Sequence, residues 1–348
     1  MGARPPDPAA PPVGIVPLAG PAGSAGAAAA AAPPVGIVPL AGPAPAPAAP
    51  VGGELAQAQR AAAALLGVEP GSVLGLARLP GGMTNQSFSF RCGGRAYVLR
   101  LPGPGAGALV DRAAERAAYR ALRGSGLADE VVAMDQAGRR VTVFYPGARV
   151  ADAADDSDLA VAMGLARRLH RLGLPARPRF DLAAQVRRYE RLAAGPRPAP
   201  YPDLERLSAR TAELLECHRR LDVAEVFCHC DLNSDNVLIL PGGGARLIDW
   251  EYAAGADPIV DVAMYCLYSF FERDRAELAL RLYLGRQPTA AEFLRLHLHL
   301  AISGYLCALW AHCVGEASAG PSGYGGRTYA YALNCYPVAE SLARNPPP

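Results

Sequence analysis

The stretch Cys228-His229-Cys230-Asp231-Leu232-Asn233-Ser234-Asp235-Asn236 runs directly into Val237-Leu238-Ile239-Leu240-Pro241-Gly242-Gly243-Gly244-Ala245-Arg246-Leu247-Ile248-Asp249-Trp250-Glu251-Tyr252. It reads either as a metal knuckle or as the catalytic loop of a phosphotransferase. Cys and His are preferred zinc ligands. However, Val226 and Phe227 suggest that the chain is extended from Glu225 to Cys230, and successive side chains of an extended chain face opposite ways. Cys228 and His229 then do not share a tetrahedron, and no second pair of such ligands is expected to close the site. The two apolar runs around Pro241-Gly242-Gly243-Gly244 read as a hairpin. A four-residue loop sets Leu240 against Ala245, and counting outward sets Asn236 against Asp249. That amide and carboxylate suit Mg²⁺. Asp231, five residues before Asn236, is placed to take a proton from a substrate hydroxyl beside the metal, as phosphoryl transfer requires.

The whole chain agrees with an enzyme rather than a charge-driven binder. Its 348 residues suffice for two domains or one large two-lobed unit, and the net charge of +2 argues against a nucleic-acid module. All 34 basic residues are Arg, which excludes a Walker-type phosphate loop, a Schiff base and a lysine base. The eight cysteines show no paired spacing and read as reduced thiols, so a cytoplasmic location is expected. No signal peptide, myristoylation pattern or membrane insertion is expected either.

Residues 1–52 are Ala, Pro and Gly with almost no charge, and PPVGIVPLAGPA occurs at 11–22 and again at 33–44. Such a composition predicts a disordered, partly polyproline-like tail. Globular character begins at Glu54 with a helix to Leu66, followed by strand, turn, strand, turn, strand from Arg78 to Leu101. A helix from Leu109 to Arg123 and short strands at Val131 and at Val141–Tyr145 complete a small lobe over residues 53–147. Residues 148–348 read as a larger, mostly helical lobe interrupted by the chemically dense region. The fold class is α+β, with a cleft between lobes.

His229-x-Asp231-x-x-x-x-Asn236 followed by Ile248-Asp249-Trp250-Glu251-Tyr252 resembles the catalytic and metal-binding loops of the choline kinase and aminoglycoside phosphotransferase superfamily, and most closely bacterial lipopolysaccharide-type choline kinases. The resemblance covers roughly residues 75–335 and implies a protein-kinase-like fold, ATP and Mg²⁺. It makes Asp231 the base, Asn236 and Asp249 the metal ligands, and His229 a residue that shapes the loop. Gly81-Gly82-Met83-Thr84-Asn85 resembles the nucleotide loop, so Gly82, Thr84 and Asn85 are expected at the phosphates. Arg100 occupies the strand position where protein kinases carry Lys. Glu115 shares a helical stripe with Tyr119 and Leu122, so it faces inward and is expected to pair with Arg100, or else with Arg112 in a solvated pair. Phe144–Gly147 matches the interlobe hinge. His170 is expected to be structural, Asp257 to cap a helix, and Asp261 to brace the catalytic loop.

Asn233, Glu251, Tyr252, Trp310, Tyr324 and Tyr329 are the candidate substrate residues. Aromatic faces hold quaternary ammonium ions, and the segment after residue 290 is poor in the acidic groups a polyamine would need. This points to choline as the acceptor. Choline kinases commonly carry a further Trp where this chain has Cys307, which keeps ethanolamine, thiamine and aminoglycosides as alternatives. The more distant alternative is an inactive kinase-like binding protein.

Overall fold

The computed structural model describes residues 52–80, 85–103, 110–194, 201, 203–313 and 323–344. The Ala/Pro-rich tail, Gly82 and Thr84 lie outside the described residues.

The first strands form one antiparallel sheet from β1 (Leu74–Arg78), β2 (Asn85–Cys92), β3 (Arg95–Pro102), β4 (Val131–Met134) and β5 (Arg140–Val143), in the order β1-β2-β3-β5-β4. Alternation in β2 and β3 buries Phe88, Phe90 and Leu99 on one face. Helix α1 (Gly52–Leu66) covers that face, and its Ala58, Ala61, Ala62 and Ala63 let it approach closely. The β2–β3 turn is Gly93-Gly94, both with positive φ, the two-residue turn whose twist matches the strands. Helix α2 (Arg112–Leu122) starts at Asp111, whose carboxylate accepts the Ala113 and Ala114 N–H at 2.9 and 3.0 Å. As the stripe requires, Glu115, Tyr119 and Leu122 are buried.

Beyond β5 the chain is mostly helical. It runs through β6 (Arg149–Val150), α3 (Asp156–His170), α4 (Leu182–Ala193) and α5 (Leu204–Arg220), then β7 (Val226–Cys228), β8 (Val237–Ile239), β9 (Ala245–Leu247) and β10 (Ala254–Ala256). Four more helices follow: α6 (Ile259–Tyr268), α7 (Arg273–Leu284), α8 (Ala290–Cys313) and α9 (Tyr324–Arg344). Among the described residues only α8 is long and apolar enough to cross a membrane, and 89% of its apolar window is buried by other parts of the protein. It is apolar all round because α4, α5, α6 and α9 surround it. A Cβ on Gly304 would stand 3.1 Å from the Ala332 Cβ, so glycine there lets α8 and α9 touch.

The small strands position the chemistry. β8 and β9 form the expected hairpin, but one residue out of the expected register. Val237 faces Leu247 and Ile239 faces Ala245, so Asn236 lies opposite Ile248, whose N–H donates to the Asn236 carbonyl at 3.0 Å, and not opposite Asp249. The loop is tighter than four residues. The Leu240 N–H donates to the Gly244 carbonyl at 2.7 Å, and Gly242 and Gly243 close the turn at positive φ.

Candidate active site

The expected catalytic loop begins where β7 ends. Cys230 turns the chain at φ 60°, a left-handed conformation that costs a non-glycine residue about 1–3 kcal/mol. The surroundings hold it there. Asp261, in the first turn of α6, accepts the His229 N–H at 2.8 Å and the Cys230 N–H at 2.7 Å, and pairs with the His170 Nε2 at 2.9 Å. The His170 Nδ1 reaches the Tyr283 hydroxyl at 2.8 Å. His229 lies against the Trp250 ring with its Nε2 donating to the Ile248 carbonyl at 2.9 Å, tying the loop to the start of the Asp249 turn. Burial lowers the His229 pKa despite Asp261 and Asp249 nearby, which keeps the ring neutral.

Asp231 is buried, and both its carboxylate oxygens are held. The Tyr268 hydroxyl donates to Oδ1 at 3.1 Å and the Asn236 Nδ2 to Oδ2 at 3.3 Å. Asn236 also donates to the Asp231 carbonyl at 2.9 Å. The Asn233 Oδ1 accepts the Asp235 and Asn236 N–H groups at 3.0 and 3.1 Å while its Nδ2 donates to the Asp231 carbonyl at 3.1 Å, so its amide is committed to shaping the loop. Tyr268 was not read from the sequence. It sits seven residues after Asp261, on the same stripe of α6. Tyr268→Phe is expected to keep the fold and lower kcat by about tenfold, because a hydrogen bond to a charged group is lost. Steady-state kinetics on the folded variant checks this, and an unchanged kcat would remove the tyrosine from the site.

Asp249 is the second left-handed residue, at φ 70°. Its Oδ2 pairs with Arg100, while its buried Oδ1 has no hydrogen-bond partner and lies 3.6 Å from the Arg140 Nη2. Burial alone would raise its pKa; Arg100 and Arg140 outweigh that and lower it. Glu115 does not pair with Arg100. Its oxygens take Arg140 at 2.6 Å and Arg112 at 2.7 Å, the latter in a buried pair and not a solvated one. The cause is the sheet register: Arg100 faces Arg140 directly across β3 and β5, and two buried like charges side by side need carboxylates from both sides. Glu115 serves one and Asp249 the other. Glu251 completes the lattice, 3.1 Å from Arg112, 4.0 Å from Arg100 and 3.4 Å from the Asn85 Nδ2. Burial and Asp249 raise its pKa.

Aromatic groups border Asp231 on the helical side. The Cys307 thiol, pushed up to about 12 by burial and by Asp231, meets the Tyr324 hydroxyl, and Tyr324 lies edge-on to Trp310 at 5.7 Å. Tyr268 lies close to Asp231, Cys307 and Tyr324, and half-buried Tyr252 lies close to Glu251 and Asp231. Tyr329, by contrast, stacks face to face on Tyr201 at 4.1 Å.

Two clusters escaped the count of possible metal ligands. His170, Cys228 and Asp261 come together, as do His218, Asp257 and His299, with ligand atoms within 4.8 Å. Asp257 does more than cap α6. It accepts the Ile259 N–H at 2.9 Å, pairs with Arg295 at 2.8 Å and meets His299 at 3.1 Å, so a guanidinium already neutralises it.

This geometry is matched by sequence likeness. The profile of the Phosphotransferase enzyme family matches residues 75–299, which include most of β1, the ion-pair lattice, the expected catalytic loop and His299. The chain belongs to this family. It is therefore a phosphotransferase acting on an alcohol, with a protein-kinase-like fold. Protein LicA of Haemophilus influenzae is 27% identical over 246 residues, covering 66% of this chain and 70% of that protein. A choline/ethanolamine kinase family protein from Mesorhizobium loti superposes with TM-score 0.64 at 27% identity, over 82% of this chain and 94% of the other. The choline kinase LicA from Streptococcus pneumoniae gives 0.66 at 26% identity, over 76% and 94%.

Proposed function

We propose that the protein transfers the γ-phosphate of ATP to the hydroxyl of choline. The observation that carries this reading is Asp231, a buried carboxylate gripped by Tyr268 and Asn236 beside a group of aromatic side chains. In the proposed reaction the alcohol O–H breaks, its proton passes to Asp231, its oxygen bonds the γ-phosphorus, and ADP leaves. The likeness to kinases whose names specify choline or choline/ethanolamine supports the amino-alcohol acceptor.

The residues present fit Mg²⁺. The Asp249 Oδ1 is a buried carboxylate oxygen without a hydrogen-bond donor, and the Asn236 amide is oriented by donation from its Nδ2, leaving its oxygen as the acceptor for a cation. When bound there, the ion neutralises charge on the transferring phosphates. Asn85, Arg100 and Glu115 belong to the nucleotide side, Arg100 directly and Glu115 through Arg140. Gly82 and Thr84 keep their proposed phosphate role on the resemblance alone. His229 acts on the loop's shape. Glu251 links the lobes, and Asn233 acts by holding Asp231.

Tyr252, Tyr268, Trp310 and Tyr324 form the proposed walls for the cationic head, and Tyr329 stands further out on Tyr201. Cys307 stands where choline kinases commonly carry a Trp, so one aromatic wall is missing, which keeps ethanolamine as the second reading. An ATP-consumption screen over choline, ethanolamine, thiamine and several aminoglycosides tests the assignment, and turnover with none of the amino alcohols overturns it. Trp310→Leu keeps apolar volume but removes the ring quadrupole. It is expected to raise the choline KM about 2- to 30-fold with the ATP KM little changed. Unaltered choline kinetics in that variant would remove Trp310 from the pocket.

A further inference from the structure

On the side of α3 away from the catalytic residues lies an open cleft of about 610 Å³ between that helix and the turn of the β8–β9 hairpin. None of the candidate catalytic or substrate residues lines it, and it has no acidic residue. Its charged groups are Arg167 and Arg168 on α3, Arg171 at the C-terminal cap of that helix, and Arg246 on β9.

Some arginines elsewhere on this surface sit beside carboxylates, while others, such as exposed Arg120, Arg123 and Arg206, do not. Arg219 and Arg220 flank Glu216, Arg273 holds Glu277, Arg286 holds Glu292 and Arg139 holds Asp135. What sets the cleft apart is that several arginines share one concavity that no carboxylate lines. Among the described residues Arg168 and Arg171 make no ion pair or side-chain hydrogen bond, and both are exposed. Neighbouring guanidiniums repel one another, a modest and salt-screened cost at an exposed site that an anion in the cleft reduces.

Glycine makes the room. Gly164 lies in the interior of α3, four residues before Arg168 and seven before Arg171, hence on their face. Glycine there costs about 0.5–1 kcal/mol relative to alanine. Packing does not require it, because a Cβ at Gly164 would meet nothing within 4 Å. What the missing side chain leaves is the floor of the cleft. Gly243 and Gly244 line the opposite rim, where backbone can approach a ligand closely. The volume falls within the usual range of small-molecule sites.

We propose that this cleft is a second ligand site, for a compound bearing a diphosphate group. Arg168 and Arg171, one turn apart on a single face, are spaced for adjacent phosphates, and guanidinium forks match phosphate oxygens. Arg246 closes the cleft from the other wall. The site is independent of the kinase reading.

Inorganic pyrophosphate is the probe, titrated calorimetrically into the full-length protein without divalent metal. The variants are Arg168→Ala/Arg171→Ala, which removes the charges, and Gly164→Met, which fills the floor and leaves the arginines. Both are expected to weaken pyrophosphate binding about tenfold or more while the melting temperature and basal phosphotransferase rate stay unchanged. Co-sedimentation with anionic phospholipid vesicles, lost in the same variants, would identify the source as a membrane headgroup; absence of co-sedimentation alongside pyrophosphate binding would identify a free diphosphate compound. Wild-type protein that fails to bind pyrophosphate, or binding that both variants retain in full, overturns the proposal.

Discussion

Asp231→Asn is expected to lower turnover by about 10²-fold or more, the usual scale for losing a general base. The substitution is nearly isosteric. An asparagine Oδ1 still accepts from the Tyr268 hydroxyl and the residue's carbonyl still accepts from Asn236, so the loop keeps its shape and nucleotide binding is retained although the bond from Asn236 to Oδ2 is lost. What disappears is the group that receives the alcohol's proton. Single-turnover measurement with saturating ATP separates this from a binding defect. Near wild-type turnover in a folded Asp231→Asn protein would remove Asp231 from the chemistry.

The largest stability loss is expected at Asp261. Asp261→Ala strips two buried backbone N–H groups and His170 of their acceptor at once, and breaking such a buried charged cluster costs about 3–5 kcal/mol. Urea unfolding checks it, and a loss below about 1 kcal/mol would mean that the loop is held by other contacts. The pH dependence has a definite sign. Burial alone would raise the Asp261 pKa, but the His170 bond and charge, His229 and the backbone donors outweigh it, so the folded value is lowered. The stabilisation is therefore complete above the unfolded-state carboxylate pKa, and it is lost as pH falls through the lower folded value. Asp261→Ala should accordingly flatten the acid limb of the stability curve.

The parts of the site that were legible in the sequence were those in which spacing alone places chemistry. His229, Asp231, Asn236 and Asp249 sit within one loop and one hairpin, so few conformations can separate them. The inward face of Glu115 followed from a single stripe on α2. The hairpin register did not follow, because a run of one proline and three glycines permits more than one turn, and the tighter one was adopted. The partner of Arg100 was misread for a different reason. Which carboxylate it meets depends on Arg140 facing it across two strands 40 residues apart, a contact that exists only after the sheet has formed. Tyr268 was hidden because every residue of α6 is buried, and such a helix shows no polar stripe to mark its functional side.

Asp261 has a consequence for motion. Since it grips the His229 and Cys230 amides from a helix fully enclosed in the core, these two hydrogens cannot reach solvent by a local flutter of the loop; α6 must first come apart. Their exchange with deuterated water should then proceed only on the slow clock of global unfolding, while the exposed Gly242 amide in the turn of the β8–β9 hairpin exchanges freely.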